Sequence, residues 1–298
     1  MDSLGITVLV AGVASWGTAT GLLLPRAAYR LAVPPDTAWR GACPAGHPLT
    51  GPARGWLGRG VCPRCAAEAA GGGSAAATPA GPADAAAPGT ATRPGAVPPA
   101  EATPAPDTAP DPVFAPAGPA VLATVLACLA LGAGVGARPE LAVWLLLAPL
   151  TVLLCLVDRA VHRLPDVLTL PLAALTAAAL GVASLFGGAG GSWTRALLGG
   201  LALGGCYFLL FLINPRGMGF GDVKLALAVG QVLGWYGWPV LFAGTFTAFV
   251  AGAVHGLALI ALRRADRTSP IPFGPFMAGG ALAGVMYAGL GLGAGLGL

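Results

Sequence analysis

Three aspartates carry most of the chemistry available to this sequence. Asp158 ends an apolar run in Leu156-Val157-Asp158-Arg159, and Asp166 opens the next in Leu164-Pro165-Asp166-Val167. Asp222 lies in Gly217-Met218-Gly219-Phe220-Gly221-Asp222-Val223-Lys224. A carboxylate at the edge of hydrocarbon is costly and marks a functional site by default. Two carboxylates brought together cannot both ionise easily, so one keeps a proton while the other serves as a base. Such a pair activates a water against a peptide carbonyl and protonates the leaving amine, and the chemistry calls for no cofactor. Gly219 and Gly221 let backbone lie close to an extended substrate. Each aspartate also has a plainer reading. Asp166, after a proline and before an apolar helix, reads first as an N-cap and second as a support of the site. Asp222 can likewise cap its helix. Asp158 can pair with Arg159 or Arg163, although the helix dipole disfavours an anion at that end.

A second group of residues has metal-ligand spacing. Cys62-Pro63-Arg64-Cys65 is a CxxC knuckle, and Cys43-Pro44-Ala45-Gly46-His47 precedes it. Cys43, His47, Cys62 and Cys65 together suit a tetrahedral structural zinc ion; the alternative is a metal-free loop. Cys128, Cys155 and Cys206 lie inside apolar runs and read as small buried side chains.

The elements that position these residues follow from composition. Of 298 residues, 56% are apolar and only 9% charged, against roughly 25% charged in an ordinary soluble domain. The chain therefore reads as an all-α polytopic membrane protein. Uncharged runs cover 4–24, 117–136, 141–157, 167–186, 196–213 and 273–298, and the long run 225–262 is broken in two around Gly234–Pro239. That predicts about eight transmembrane helices. The runs are continuous rather than alternating, which excludes a membrane β-barrel. The domain reading is a first helix at 1–24, a Cys-containing loop at 25–68, a disordered Ala/Pro/Gly linker at 69–116 and a seven-helix unit at 117–298. The Met1 end lacks a basic region and is read as a span, not a cleaved signal.

Numbering the loops alternately sorts the 16 Lys and Arg residues sharply: Arg138 and Arg195 fall on one side and the other 14 on the opposite side. The positive-inside rule then puts the N-terminus outside and the cysteine loop, Asp158, Asp166 and Asp222 at the cytoplasmic face of the cell membrane. Nucleic-acid binding is excluded by a single lysine and the lack of any basic run longer than Arg263-Arg264. Trp235, Tyr236 and Trp238 read as interface anchors, and His255 as a histidine inside the bundle.

Three segments in this order resemble the type IV prepilin peptidases, membrane aspartyl proteases of the GxGD class. They are Asp158 to Asp166 with the following Val-Leu-Thr-Leu-Pro171, then Gly219-Phe-Gly-Asp222-Val-Lys224, then Ile271-Pro-Phe-Gly-Pro-Phe276. The resemblance covers about 117–298. It implies that Asp158 and Asp222 are the catalytic pair, that Lys224 matches a family lysine, and that Gly219, Gly221, Lys224 and Asp166 support the site. It also implies that Pro272, Gly274 and Pro275 shape a non-helical entry beside it. The implied activity is removal of the leader from prepilins or pseudopilins at the cytoplasmic face, with these proteins and the lipid bilayer as partners. Family members often carry two CxxC pairs in the first loop; here His47 stands in for one cysteine. Many also methylate the new N-terminus with S-adenosylmethionine, but this chain shows no glycine-rich cofactor loop and no residues are assigned to that reaction. Two other classes fit parts of the pattern: a proton-coupled transporter, with His255 and the aspartates as relay, and a non-catalytic protein of pilus or secretion assembly.

Overall fold

Each uncharged apolar run folds as a helix, which satisfies its backbone groups internally, as hydrocarbon demands. The computed structural model describes residues 3–34, 37–71, 112–215, 217–264, 266 and 271–291. In chain order the elements are α1 (Ser3–Leu31), a single turn α2 (Pro52–Gly55), β1 (Gly60–Val61), α3 (Pro63–Gly71), β2 (Val113–Ala115), α4 (Gly118–Val135), α5 (Glu140–Val161), α6 (Asp166–Ala183), α7 (Trp193–Ile213), α8 (Phe220–Tyr236), α9 (Trp238–Ala261) and α10 (Gly274–Gly289). Eight of these correspond to the eight expected runs. Among the described residues, α1, α4, α5, α6, α7 and α9 are long and apolar enough to cross a membrane. The other two are shorter, with 17 residues in α8 and 16 in α10.

The break expected in the run 225–262 is a single residue, Gly237, at φ 128°. That backbone conformation is open to glycine at little cost, so α8 and α9 reverse direction without a loop. The first helix runs on past residue 24 to Leu31 and carries Arg26 and Arg30 with it. Most of the expected linker at 69–116 lies outside the described residues. At its two ends α3 continues to Gly71, and β2 pairs antiparallel with β1.

Close helix contacts fix how the bundle is threaded. A Cβ on Gly17 would meet Val125 Cα at 2.9 Å, and one on Gly21 would meet Val121 Cα at 2.7 Å, so α1 and α4 lie antiparallel with backbones nearly touching. A Cβ on Gly199 would come 2.6 Å from Gly230 O, and one on Gly200 2.8 Å from Leu227 O, which zips α7 against α8. Small residues let helices pack this tightly where lipid supplies no hydrophobic drive between them. The core gathers around α8, with Leu225, Leu233 and Trp235 fully enclosed alongside Tyr207, Leu154, Leu180 and Met277. Trp235 is thus a buried residue rather than an interface anchor, while Trp238 stays exposed. Phe242 and Phe246 of α9 and Leu201 and Leu209 of α7 point outward, a surface suited to acyl chains.

Candidate functional site

Asp158 sits near the end of α5, one turn before the helix closes at His162, whose left-handed backbone (φ 50°) turns the chain toward α6. Its side chain is buried, only 4% exposed. Pairing with Arg159 or Arg163 is not what holds it. Its Oδ2 accepts the backbone N–H of Gly274 at 2.8 Å. Gly274 is the first residue of α10, preceded by the non-helical Ile271–Phe273. A Cβ on Gly274 would lie 2.8 Å from Asp158 Oδ2, so only glycine brings that donor so near.

Asp222 is the third residue of α8, and Gly219 occupies the N-cap position. The Asp222 N–H donates to Gly219 O at 3.0 Å. A Cβ on Gly221 would meet Leu164 Cβ at 2.8 Å; the bare glycine lets the α5–α6 turn rest directly on the start of α8. Asp222 is partly buried, and its carboxylate is within electrostatic reach of Asp158. Three helix ends, from α5, α8 and α10, therefore converge on two acidic side chains.

Asp166 stands apart from this pair. It is the first residue of α6, Pro165 takes the N-cap position, and no side-chain cap bond forms. The N-cap reading gives way to an ion pair: Lys224 Nζ lies 2.6 Å from Asp166 Oδ1 and 4.8 Å from the centre of the Phe220 ring. This pair ties α6 to α8 beside the aspartates. A cleft of about 300 Å³ opens on the same side, lined by Trp39, Val157, Val161, Arg163, Pro165 and Asp166 among others. His255 is exposed on α9 and stacks on Phe276 at 5.3 Å, rather than lying inside the bundle. Cys206 is exposed too, whereas Cys128 is fully buried.

The four residues with metal-ligand spacing come together. One ligand atom from each of Cys43, His47, Cys62 and Cys65 lies within 4.8 Å of all the others. His47 Nδ1 is 3.3 Å from Cys65 Sγ, 3.7 Å from Cys62 Sγ and 3.8 Å from Cys43 Sγ, and Cys43 and Cys65 sulfurs are 3.7 Å apart. The cluster can hold a metal ion. His47 turns its other nitrogen outward to Glu68, with Nε2 to Oε1 at 3.3 Å. The Cys65 N–H, pointing at the sulfur of Cys62, holds that thiol down to about 6 against the effect of burial. Burial, reinforced by the neighbouring thiols, pushes Cys65 up to about 12. An ion binding here displaces the remaining protons.

Sequence reasoning missed Arg26, which is only 9% exposed. From α1 it donates to Thr50 O (2.6 Å), Arg59 O (2.9 Å) and Val61 O (3.2 Å) and so fastens the cysteine region to the bundle. An arginine just past an apolar run looks like a topology anchor, and nothing in the spacing marks the three carbonyls it meets. Glu68 was missed as well, although a carboxylate three residues beyond the CxxC is a visible cue.

Residues 145–257 match the type IV leader peptidase family. The match takes in Asp158, Asp166, Gly219, Gly221, Asp222 and Lys224, and it bears out the resemblance read from the two aspartate motifs. Gly274 and the cysteine cluster lie outside it. Similar curated proteins are each named prepilin leader peptidase/N-methyltransferase. One from Aeromonas salmonicida is 38% identical over 138 residues, 45% of this chain and 45% of the relative. One from Pseudomonas aeruginosa is 36% identical over 124 residues, 41% of each. One from Burkholderia pseudomallei is 37% identical over 136 residues, 44% of this chain and 41% of the relative. The matched segment thus spans less than half the length of these relatives. No solved structure matches the chain.

Proposed function

We propose that this chain is a membrane aspartyl endopeptidase that removes leader peptides from prepilin-type substrates. The observation that carries the reading is that Asp158, near the end of α5, and Asp222, in the first turn of α8, stand at the same end of the bundle, with Gly274 N–H on Asp158 Oδ2. In the reaction, the ionised carboxyl of the pair takes a proton from water, whose oxygen adds to the scissile carbonyl carbon. The protonated carboxyl donates to the carbonyl oxygen. The C–N bond then breaks as the amine receives a proton, and the pair returns to its starting state. Gly219 gives an extended peptide room beside Asp222, Gly221 seats the α5–α6 turn against the start of α8, and the Lys224–Asp166 pair supports α8 from the side.

The charge sorting of the loops supports an inner-membrane orientation with the aspartate end cytoplasmic. The cysteine cluster supports a structural zinc ion. Ligands about 2.3 Å from a tetrahedral zinc lie about 3.8 Å from one another, close to the 3.7 Å between Cys43 and Cys65. The metal-held unit expected at 25–68 then begins after α1 ends at Leu31 and docks on that helix through Arg26, followed by a linker and a peptidase unit from 117 onward. N-methylation is left out of this reading. The test is cleavage of a prepilin in liposomes, followed by mass spectrometry. Wild type and Asp166→Asn are expected to cut, and Asp158→Asn and Asp222→Asn to fall by at least about 10³-fold, the scale of losing a general acid–base group. Undiminished cutting by both dyad variants removes the aspartyl mechanism.

A further inference from the structure

We infer that the turn at residues 54–59 is a binding surface for anionic phospholipid, with Arg54 and Arg59 on the headgroup phosphate and Leu57 between them entering the acyl layer. This requires only that α1, which is long and apolar enough to do so, spans the bilayer, and it is independent of the peptidase reading.

Backbone hydrogen bonds set the depth of this turn. The Gly58 N–H donates to Leu23 O at 3.0 Å, and Gly58 O accepts from the Arg26 N–H at 3.2 Å. On the other side of α1, Gly17 meets Val125 and Gly21 meets Val121 of α4. The same antiparallel register sets Leu24 level with Gly118, where α4 begins. Both helices therefore leave their apolar stretches at the height where the turn docks. Trp56 fills the inner side of the turn. It packs on the buried cluster that includes Leu24, Ala27 and Val157, and stands edge-on to Trp39 at 5.2 Å between centroids. Indole rings favour the headgroup level of a bilayer. The next residue, Leu57, is 36% exposed, and Leu23, whose carbonyl the turn binds, is 39% exposed. Two leucines bared at this height meet lipid rather than water.

The charges on either side of Leu57 select the kind of lipid. The backbone carbonyls of Arg54 and Arg59 face inward, accepting from the Arg30 and Arg26 guanidiniums of α1 at 3.1 Å and 2.9 Å. Their own side chains are exposed, and among the described residues neither forms an ion pair. The described residues of 26–71 hold six arginines against a single carboxylate, Glu68, and that carboxylate faces His47. The backbone of the turn is thus fixed while two guanidinium groups remain free for a partner. A guanidinium matches phosphate oxygens in a two-pronged contact, and basic clusters beside a membrane span attract anionic lipids. A free phosphate would satisfy the arginines but leave Leu57 in water, so the partner that fits the whole turn carries acyl chains.

The experiment uses the full chain in detergent, titrated with phosphatidylglycerol or phosphatidylcholine, with bound lipid counted by native mass spectrometry. Wild type is expected to hold its tightest phosphatidylglycerol at least about tenfold more firmly than phosphatidylcholine. The Arg54→Gln/Arg59→Gln variant should weaken phosphatidylglycerol by about 25-fold, at about fivefold for each basic side chain near an anionic surface, and leave phosphatidylcholine within about twofold. Arg54→Lys/Arg59→Lys, which keeps both charges, should restore most of the affinity. Arg64→Gln, an exposed arginine on α3, should leave it within about twofold. Equal retention of the two lipids by wild type overturns the proposal, as does undiminished phosphatidylglycerol binding by the double glutamine variant. A loss with Arg64→Gln as large as that of the pair overturns it too, because any surface charge would then serve. Displacement of the lipid by glycerol 1-phosphate at similar concentration overturns the lipid surface in favour of a free-phosphate site.

Discussion

Gly274 shows how much a single missing carbon can decide. Its N–H reaches Asp158 Oδ2 because no Cβ stands in the way. Gly274→Ala would put a methyl 2.8 Å from that oxygen, and either the carboxylate or the start of α10 must move. A misplacement of about 1 Å can cost about 100-fold in rate, so leader cleavage by Gly274→Ala should fall by that order while the protein still extracts and melts as a folded membrane protein. A rate within twofold of wild type would show that the bond does not position Asp158. At this scale the sequence was legible where residue type and position agree. Three aspartates at the edges of apolar runs, all in the GxGD and Asp158–Asp166 motifs, could be picked out by eye. Asp166 was misread as a cap because the competing partner, Lys224, lies 58 positions away and only folding brings it to 2.6 Å.

At the scale of elements, the cysteine region depends on side chains that do not touch an ion. Glu68 holds the outward nitrogen of His47, which fixes the tautomer that presents Nδ1 to the three sulfurs. Partners of this sort are worth 10- to 100-fold in metal affinity. Glu68→Gln is therefore expected to lower zinc affinity by about 10-fold or more, read by competition with a chromophoric chelator; unchanged affinity would make the contact incidental. Arg26 acts on the same region from α1. Its bonds to three carbonyls are charge-assisted and buried, worth roughly 1.5–3 kcal/mol each before compensation. Arg26→Met should expose residues 40–68 to limited proteolysis at doses that leave wild type intact, with the bundle itself resistant. The helices were readable from the lack of charge in their runs. The seven residues by which α1 outruns its apolar stretch were not, because Arg26 and Arg30 look like residues that belong in water. Arg26 instead spends its donors on carbonyls, and Arg30 donates to Arg54 O and lies 4.2 Å from the centre of the Trp56 ring.

The whole molecule has two chemically different ends. Glu140, with Gly190 N–H on its Oε1, lies at the end opposite the aspartate pair, and the cysteine region joins the aspartate end through Arg26. Alkaline phosphatase fused after Gly188 is expected to be active in cells, and the same reporter fused after Arg163 inactive; the reverse pattern would invert the orientation read from the arginines. The count of helices and their alternation followed from hydrophobicity and charge alone. The crowding of α8 at the centre did not, since it arises from glycine pairs whose meaning depends on which helix lies opposite.

The small sheet has a consequence for how the chain tolerates change. Residues 60–61 and 113–115 pair with each other, so the chain returns to the strand just before α3 on its way into α4. The start of α3 and the start of α4 are thereby tied together whatever the length of chain between them. Closing a longer excursion adds only a logarithmic penalty, and the strand pair stands between that excursion and the helices that hold Asp158 and Asp222.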